Sequence, residues 1–546
     1  MKKLFMLLGL IIWGDNIRAQ LISFSWIVSY STDQIDSIYA VNGVPSSILP
    51  STYSVNVYKV LYETLDKDSL PVIASGAFFI PVAPACHVPL MSYQHGTIFN
   101  KVEVPSQLSG GEIIIGFYLA SDGYAVCMPD YLGLGDSPGL HPYLHAETEA
   151  RSVADMLAAS LEIFDSISLP WNSQLFLLGY SQGGHATMAA HQLIQEHYNN
   201  YFSVTASAPM SGPYDLSGVQ AAILSSESEY PNPGYVPYLL LAYHDVYHIY
   251  NSISEFLQPP YDETLPPLFD GTHSLGEIND AMPDVPSEII VPAVLDSFIN
   301  DPQYKLRYLL DLNNTYNWLP VNPLRMYYCE GDADVSYLNA FVALDSFTAY
   351  GSNVVSAQSS GSFLDHGTCA VPSVLNAKGW FDDLRLDKLQ LAFDLGYESN
   401  DGAADGSLIV HVSSGFPPYT YQWSNGGTDS MINNISSGNY TVSVTDATGC
   451  PATTSVYLPL QVGVEELLQQ QVSVSPNPFH SQTNIELGSA GNYELIISDF
   501  SGKIIMKKRF YGESSLLYRE ELMTGMYFLH IKNIDGTTII KKIVIE

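Results

Sequence analysis

Across residues 53–392, hydrophobic positions gather in short strand-like runs, at 72–80, 88–93, 125–128, 175–178, 204–209, 324–329 and 354–357. Runs of that length, apolar almost throughout, are what strands buried on both faces look like. Between them the spacing turns helical: 148–164 sets Ala150, Val153, Ala154, Met156, Leu157 and Leu161 on one face, and 186–197 is a second such stretch. Strand alternating with helix predicts a mostly parallel sheet with helices on both faces. Residues 215–320, rich in Tyr, Pro and Leu, interrupt the alternation and predict a helical cap insertion between two strands.

After Tyr397 the period shortens. Residues 399–406 read as a linker, and short alternating strands follow at 407–412, 420–423 and 440–445, separated by Gly, Asn and Ser turns. Residues 461–471 read as a second, helix-prone linker, and strands recur at 493–498, 503–507, 527–531 and 538–544. The expected organisation is an α/β domain over 20–397 and two small all-β sandwich domains over 398–460 and 472–546. Lys2 and Lys3, the apolar stretch 4–13 and Ile17-Arg18-Ala19 read as a signal peptide over residues 1–19. That stretch is too short to span a bilayer and no later one reaches ~18 apolar residues, so export without a transmembrane anchor is expected.

Composition narrows the partners. The chain of 546 residues carries a formal charge of −35, which repels phosphate backbones and makes nucleic acid an unsuitable partner. Its five cysteines leave at least one unpaired, and none has metal-ligand spacing, so no metal site is expected.

The chemistry concentrates at Gly179-Tyr180-Ser181-Gln182-Gly183, a G-x-S-x-G between an apolar run and a helical stretch. That is the setting of a nucleophile elbow, a sharp turn that lifts a serine clear of its neighbours. Gly135-Asp136-Ser137-Pro138-Gly139 spells the same pattern. An elbow needs a backbone N–H after the serine for the oxyanion, and Pro138 has none, so Ser181 is the expected nucleophile and Gln182 one oxyanion donor. A serine hydrolase also needs an acid and a histidine, here in the order Ser, acid, His. The strand 324–329 runs into Glu330-Gly331-Asp332-Ala333-Asp334, where Asp334 is the expected acid and Asp332 the alternative. His366, in Asp365-His366-Gly367 after the last core strand, is the expected base. His185 and His191, on the helix after the elbow, are expected to pack or face solvent. Thr97, in His95-Gly96-Thr97 after the strand 88–93, is the expected second oxyanion donor, with Gly96 as alternative.

On these residues, with Pro129-Asp130-Tyr131-Leu132-Gly133-Leu134-Gly135-Asp136-Ser137, the chain up to about Ala392 resembles the α/β-hydrolase superfamily, and most of all its secreted lipase and esterase branch. Gly415-Phe416-Pro417-Pro418-Tyr419-Thr420-Tyr421-Gln422-Trp423, Gly438-Asn439-Tyr440-Thr441-Val442 and Val444-Thr445-Asp446-Ala447-Thr448-Gly449-Cys450 resemble an immunoglobulin-like repeat of large bacterial adhesins. Val474-Ser475-Pro476-Asn477-Pro478-Phe479, the turn 498–503, Gly525-Met526-Tyr527-Phe528 and the end Lys541-Lys542-Ile543-Val544-Ile545 resemble a type IX secretion sorting domain. The resemblance implies a secreted or cell-surface enzyme of a Gram-negative bacterium. It would hydrolyse a small-molecule or lipid carboxylic ester through an acyl-enzyme on Ser181, without a cofactor, and engage secretion machinery through its C-terminal domain. A serine peptidase of the same fold and a non-catalytic adhesin are the alternatives. If the acid and base loops meet, Cys329 and Cys369 are neighbours and a disulfide is expected there. Cys86 with Cys127 is the second candidate pair, which leaves Cys450 alone.

Overall fold

The computed structural model describes residues 20–41, 51–460, 472–499, 503–519, 522–533 and 538–546. The expected signal peptide and the linker at 461–471 lie outside the described residues. The first unit is built on nine strands: β1 (Leu21–Tyr30), β2 (Val55–Leu65), β3 (Pro71–Pro81), β4 (Val88–Gln94), β5 (Ala125–Pro129), β6 (Trp171–Tyr180), β7 (Val204–Met210), β8 (Leu324–Cys329) and β9 (Val355–Gly361). Their order is β1-β2-β3-β5-β4-β6-β7-β8-β9. β1, β2, β3 and β5 pair antiparallel, and from β5 to β9 every pairing is parallel.

The seven apolar runs lie on β3 to β9. β1 and β2 carry no such run. β2 buries alternate residues and intersperses Asn56, Lys59 and Glu63, while β1 is exposed along much of its length. In the parallel strands successive residues enter different cores. Leu175 and Leu177 of β6 join Val153, Leu157 and Ile163 of the helix Ala146–Ile167 and Ala186 and Ile194 of the helix Gln182–His197. Phe176 and Leu178 join Phe117 of the helix Ile113–Ser121 and Val374, Ala377 and Phe381 of the helix His366–Asp382. Each large apolar side chain so buried contributes about 1.5–3 kcal/mol. Two filled faces leave the strand ends as the place for chemistry.

Between β7 and β8 the chain makes the helices Tyr235–Tyr247, Tyr261–Thr264, Leu275–Asp280, Pro292–Asn300 and Lys305–Leu312. This helical insertion has its own core, including Leu240, Leu241, Phe256, Leu257, Ile278 and Leu309.

The second unit is all-β. Its first part has β10 (Leu391–Gly396), β11 (Gly406–Val412), β12 (Thr420–Trp423), β13 (Met431–Ile435), β14 (Gly438–Thr445) and β15 (Pro451–Leu458), in the sheets β10-β11-β13 and β12-β14-β15. Residues 391–396, expected in the α/β domain, pair antiparallel with β11, so the expected linker at 399–406 spans a hairpin turn. Glu398 holds that turn, accepting from the Ala404 and Ser437 amides at 2.8 and 2.6 Å. The last part has β16 (Ser473–Ser475), β17 (Gln482–Ser498), β18 (Ile504–Tyr518), β19 (Gly525–Asn533) and β20 (Thr538–Ile545). Ile485, Leu495, Ile497, Leu529 and Ile543 form its core. Among the described residues no helix is long and apolar enough to cross a membrane.

Candidate active site

Ser181 stands between the end of β6 and the helix Gln182–His197, with φ 60° and ψ −122°. A non-glycine residue held there is strained, as an elbow requires. Glycine on either side makes the turn possible. A Cβ on Gly179 would sit 2.3 Å from Gly183 O, and one on Gly183 would sit 1.9 Å from Gln94 O. Ser137, in the other G-x-S-x-G, is buried in the segment after β5, and its amide donates to Leu134 O at 3.0 Å.

His366 is the first residue of the helix His366–Asp382, whose N-cap Asp365 accepts from the Thr368 amide at 2.8 Å. Its Nε2 lies 2.8 Å from Ser181 Oγ, and its Nδ1 lies 2.7 Å from Asp332 Oδ2. His366 thus meets Asp332, the alternative of the sequence reading, and not Asp334, the acid expected first. Asp334 does not meet His366; its carboxylate accepts from Asn232 Nδ2 of the cap at 3.0 Å. The cause is a local turn. Asp332 Oδ1 accepts from the amides of Asp334 and Val335 at 3.1 and 2.8 Å, which aims its other oxygen at the histidine. The Asp332 side chain is fully excluded from solvent. Burial pushes the Asp334 carboxyl above its ordinary value, opposed by the Asn232 hydrogen bond. A hydroxyl, an imidazole and a buried carboxylate in this order can pass a proton from the serine and stabilise the imidazolium that results.

The loop after β4 lies beside the elbow, and a Cβ on Gly96 would be 3.7 Å from Ser181 Cβ. The Gly96 amide donates to Glu112 Oε1 and Oε2 at 3.1 and 3.2 Å, so it is engaged elsewhere. Thr97 Oγ1 lies 3.0 Å from Tyr143 OH. Glu112 also accepts from Tyr93 OH at 2.6 Å, and burial raises its carboxyl above the ordinary range.

Behind Gln182 is a buried polar network that sequence reading missed. Gln182 Nε2 donates to Glu149 Oε1 at 2.7 Å and lies 2.6 Å from His141 Nε2. Glu149 Oε2 lies 2.6 Å from His185 Nδ1. Burial pushes His141 down to about 4, so its ring is neutral near pH 7. His185 and His191 are both fully buried. No spacing rule links Glu149 to Gln182, which belong to different helices.

Cys329 and Cys369 form a disulfide, Cα to Cα 6.0 Å, joining the end of β8 to the His366 helix. The second pairing is corrected: Cys86 bonds to Cys450, in the segment 445–452 that belongs to the first unit. Cys127 is level with Ser92 in the interior of β4, whereas Cys86 precedes that strand. Cys127 points into the core 2.8 Å from Ser160 Oγ, and burial pushes its thiol up to about 12. A cleft touches Ser181 and Gln182 and is otherwise mostly apolar, with Tyr143, Leu216, Leu224, Tyr235, Leu239 and Val335 among its walls.

Residues 103–222 match the Secretory lipase family, residues 402–428 the SprB repeat, and residues 473–546 the Secretion system C-terminal sorting domain. No curated protein sequence matches the chain. A Legionella pneumophila protein to which a hydrolase function has been attributed is 33% identical with TM-score 0.62, covering 67% of this chain and 98% of its own. The rice cell wall degrading esterase LipA from Xanthomonas oryzae is 29% identical with TM-score 0.60, covering 68% of this chain and 100% of its own. Its ligand-bound form is 28% identical with TM-score 0.59 over 67% of this chain and 99% of its own. The sorting domain marks the protein as secreted or cell-surface. With one relative a third identical over nearly all of its length, the chain belongs to the secretory lipase and esterase family of α/β-hydrolases, extended by an adhesin-type repeat and a sorting domain.

Proposed function

We propose that the protein hydrolyses carboxylic esters by serine catalysis. The observation that carries this reading is His366, which bridges Ser181 and a solvent-excluded Asp332 at 2.8 and 2.7 Å. Ser181 Oγ adds to the ester carbonyl as its proton passes to His366 Nε2. Asp332 holds the imidazole and stabilises its charged form. The Gln182 and Thr97 amides receive the developing oxyanion, each donor being worth ~3 kcal/mol of transition-state stabilisation. His366 then protonates the departing alkoxide as the ester C–O bond breaks, and water releases the acyl group from Ser181 in a second pass. The apolar walls beside Ser181 suit an apolar acyl or alcohol group. Similarity to a cell wall degrading esterase supports an ester over a peptide bond. The sorting domain would be the part that engages the secretion machinery. The domain division we propose follows the two units, with the hydrolase ending near Gln390.

The test is turnover of p-nitrophenyl esters of graded acyl length against matched p-nitroanilides. Hydrolysis of esters with little or no action on anilides is expected. Comparable rates on anilides would favour a peptidase, and no turnover of either would favour an adhesin.

A further inference from the structure

Asp334, two residues past Asp332, accepts hydrogen bonds from three cap residues, one on its carboxylate and two on its main-chain oxygen. Asn232 Nδ2 donates to both oxygens of Asp334 at 3.0 Å. Tyr230 OH and Gln220 Nε2 donate to its main-chain oxygen at 2.9 and 3.0 Å. On its other side, the Asp334 amide donates to Asp332 Oδ1. One residue thus takes hydrogen bonds from the cap through its carboxylate and carbonyl, and gives one to the proposed acid through its N–H. The cap side is itself braced, with Asn279 Oδ1 accepting from the Gly234 amide at 2.9 Å. Asp334 is 8% exposed, so these bonds are shielded from water. A shielded hydrogen bond to a carboxylate is worth more than an exposed one, and its loss strands a buried charge.

A loop residue that only closed its own turn would not need three donors from a separate helical layer. We propose that Asp334 is a positioning residue, a latch through which the cap holds the Asp332 loop so that Asp332 faces His366. This rests on the Ser181–His366–Asp332 reading above. The cap that roofs the cleft then also sets the geometry of the proton relay. Substrate seated against the cap and the readiness of His366 become coupled through Asn232 and Asp334.

The test is a set of variants of the full secreted chain, with kcat and KM measured separately on p-nitrophenyl acetate. Asp334→Ala and Asn232→Ala should each lower kcat about tenfold, and the pair should lower it no further than the worse single, as for residues of one hydrogen-bond network. Placed in an Asp332→Asn background, Asn232→Ala should change kcat by less than about twofold, since the latch acts through Asp332. Additive effects, equal losses in both backgrounds, or an unchanged kcat in the singles would overturn the latch and leave only cap packing. Should Asp334→Ala fail to fold, Asn232→Ala and Tyr230→Phe probe the same latch from the cap side. Asp332→Asn alone separates the two premises. If it keeps full turnover, the triad reading falls and the latch with it; if it is inactive while the latch variants are additive, the latch alone falls.

Discussion

Asp332 lies 2.7 Å from His366 Nδ1, held there by two amides of its own loop. Removing its charge should leave His366 without the partner that fixes its tautomer. We expect Asp332→Asn to lower kcat by about 10⁴-fold, as in other triads. Asp334→Asn should cost far less. Steady-state kinetics on a soluble ester ranks the two, and the reverse order would return the role to Asp334.

The elbow is closed by main-chain contact. A Cβ on Gly183 would fall 1.9 Å from the Gln94 carbonyl oxygen, a rigid part of β4 that cannot step aside. Gly183→Ala should destabilise the protein by about 3 kcal/mol or more. Thermal melting checks this, and a melting temperature equal to that of the parent would contradict the packing described.

Much of this was legible in the sequence, and the reasons are specific. Both-face burial makes β3 to β6 read as mostly apolar runs, and the glycines around Ser181 announce a turn that tolerates no Cβ. Order along the chain pointed to His366, whose Nε2 lies 2.8 Å from Ser181 Oγ. Which aspartate meets His366 was not legible, because the two are told apart by which one its own loop amides seize. A hydrogen bond from Asn232, which lies in the cap, decides the fate of Asp334, and no local pattern carries that. The pairing of Cys86 with Cys450 was hidden for the same reason, since the two are 364 residues apart. β1 and β2 were missed because their exposed or alternating faces carry polar residues.

Cys329–Cys369 closes 40 residues between the Asp332 loop and the His366 helix. Replacing both cysteines by serine should cost about 4 kcal/mol on the chain-entropy model. Non-reducing peptide mapping should recover that bridge and Cys86–Cys450. Cys127 should resist alkylation in the native protein, being buried with its thiol pushed up to about 12. Rapid labelling of Cys127 or recovery of free Cys369 would contradict the pairing.

His191 is fully buried, 2.7 Å from Ser207 Oγ, and burial pushes it down to about 3. Unfolding exposes it to water, where its value is near 6.5. The unfolded chain therefore takes up a proton below about pH 6.5 that the folded chain refuses until near pH 3. The stability contributed by keeping His191 neutral is complete above pH 6.5 and declines as pH falls, by about 1.4 kcal/mol per unit. His191→Leu lacks this loss, so the stability difference, parent minus variant, should shrink between pH 7 and pH 5. Urea titrations at the two pH values measure it, and a constant difference would show that His191 is not held neutral.

The central claim is that Ser181 is a nucleophile activated by His366. Treating the intact protein with a fluorophosphonate and mapping the modified peptide tests it most directly. We expect a single adduct on Ser181, absent from Ser181→Ala, much slower in His366→Ala and unaffected by Ser137→Ala. An adduct on Ser137, or an intact folded protein that takes up no label, would contradict the account.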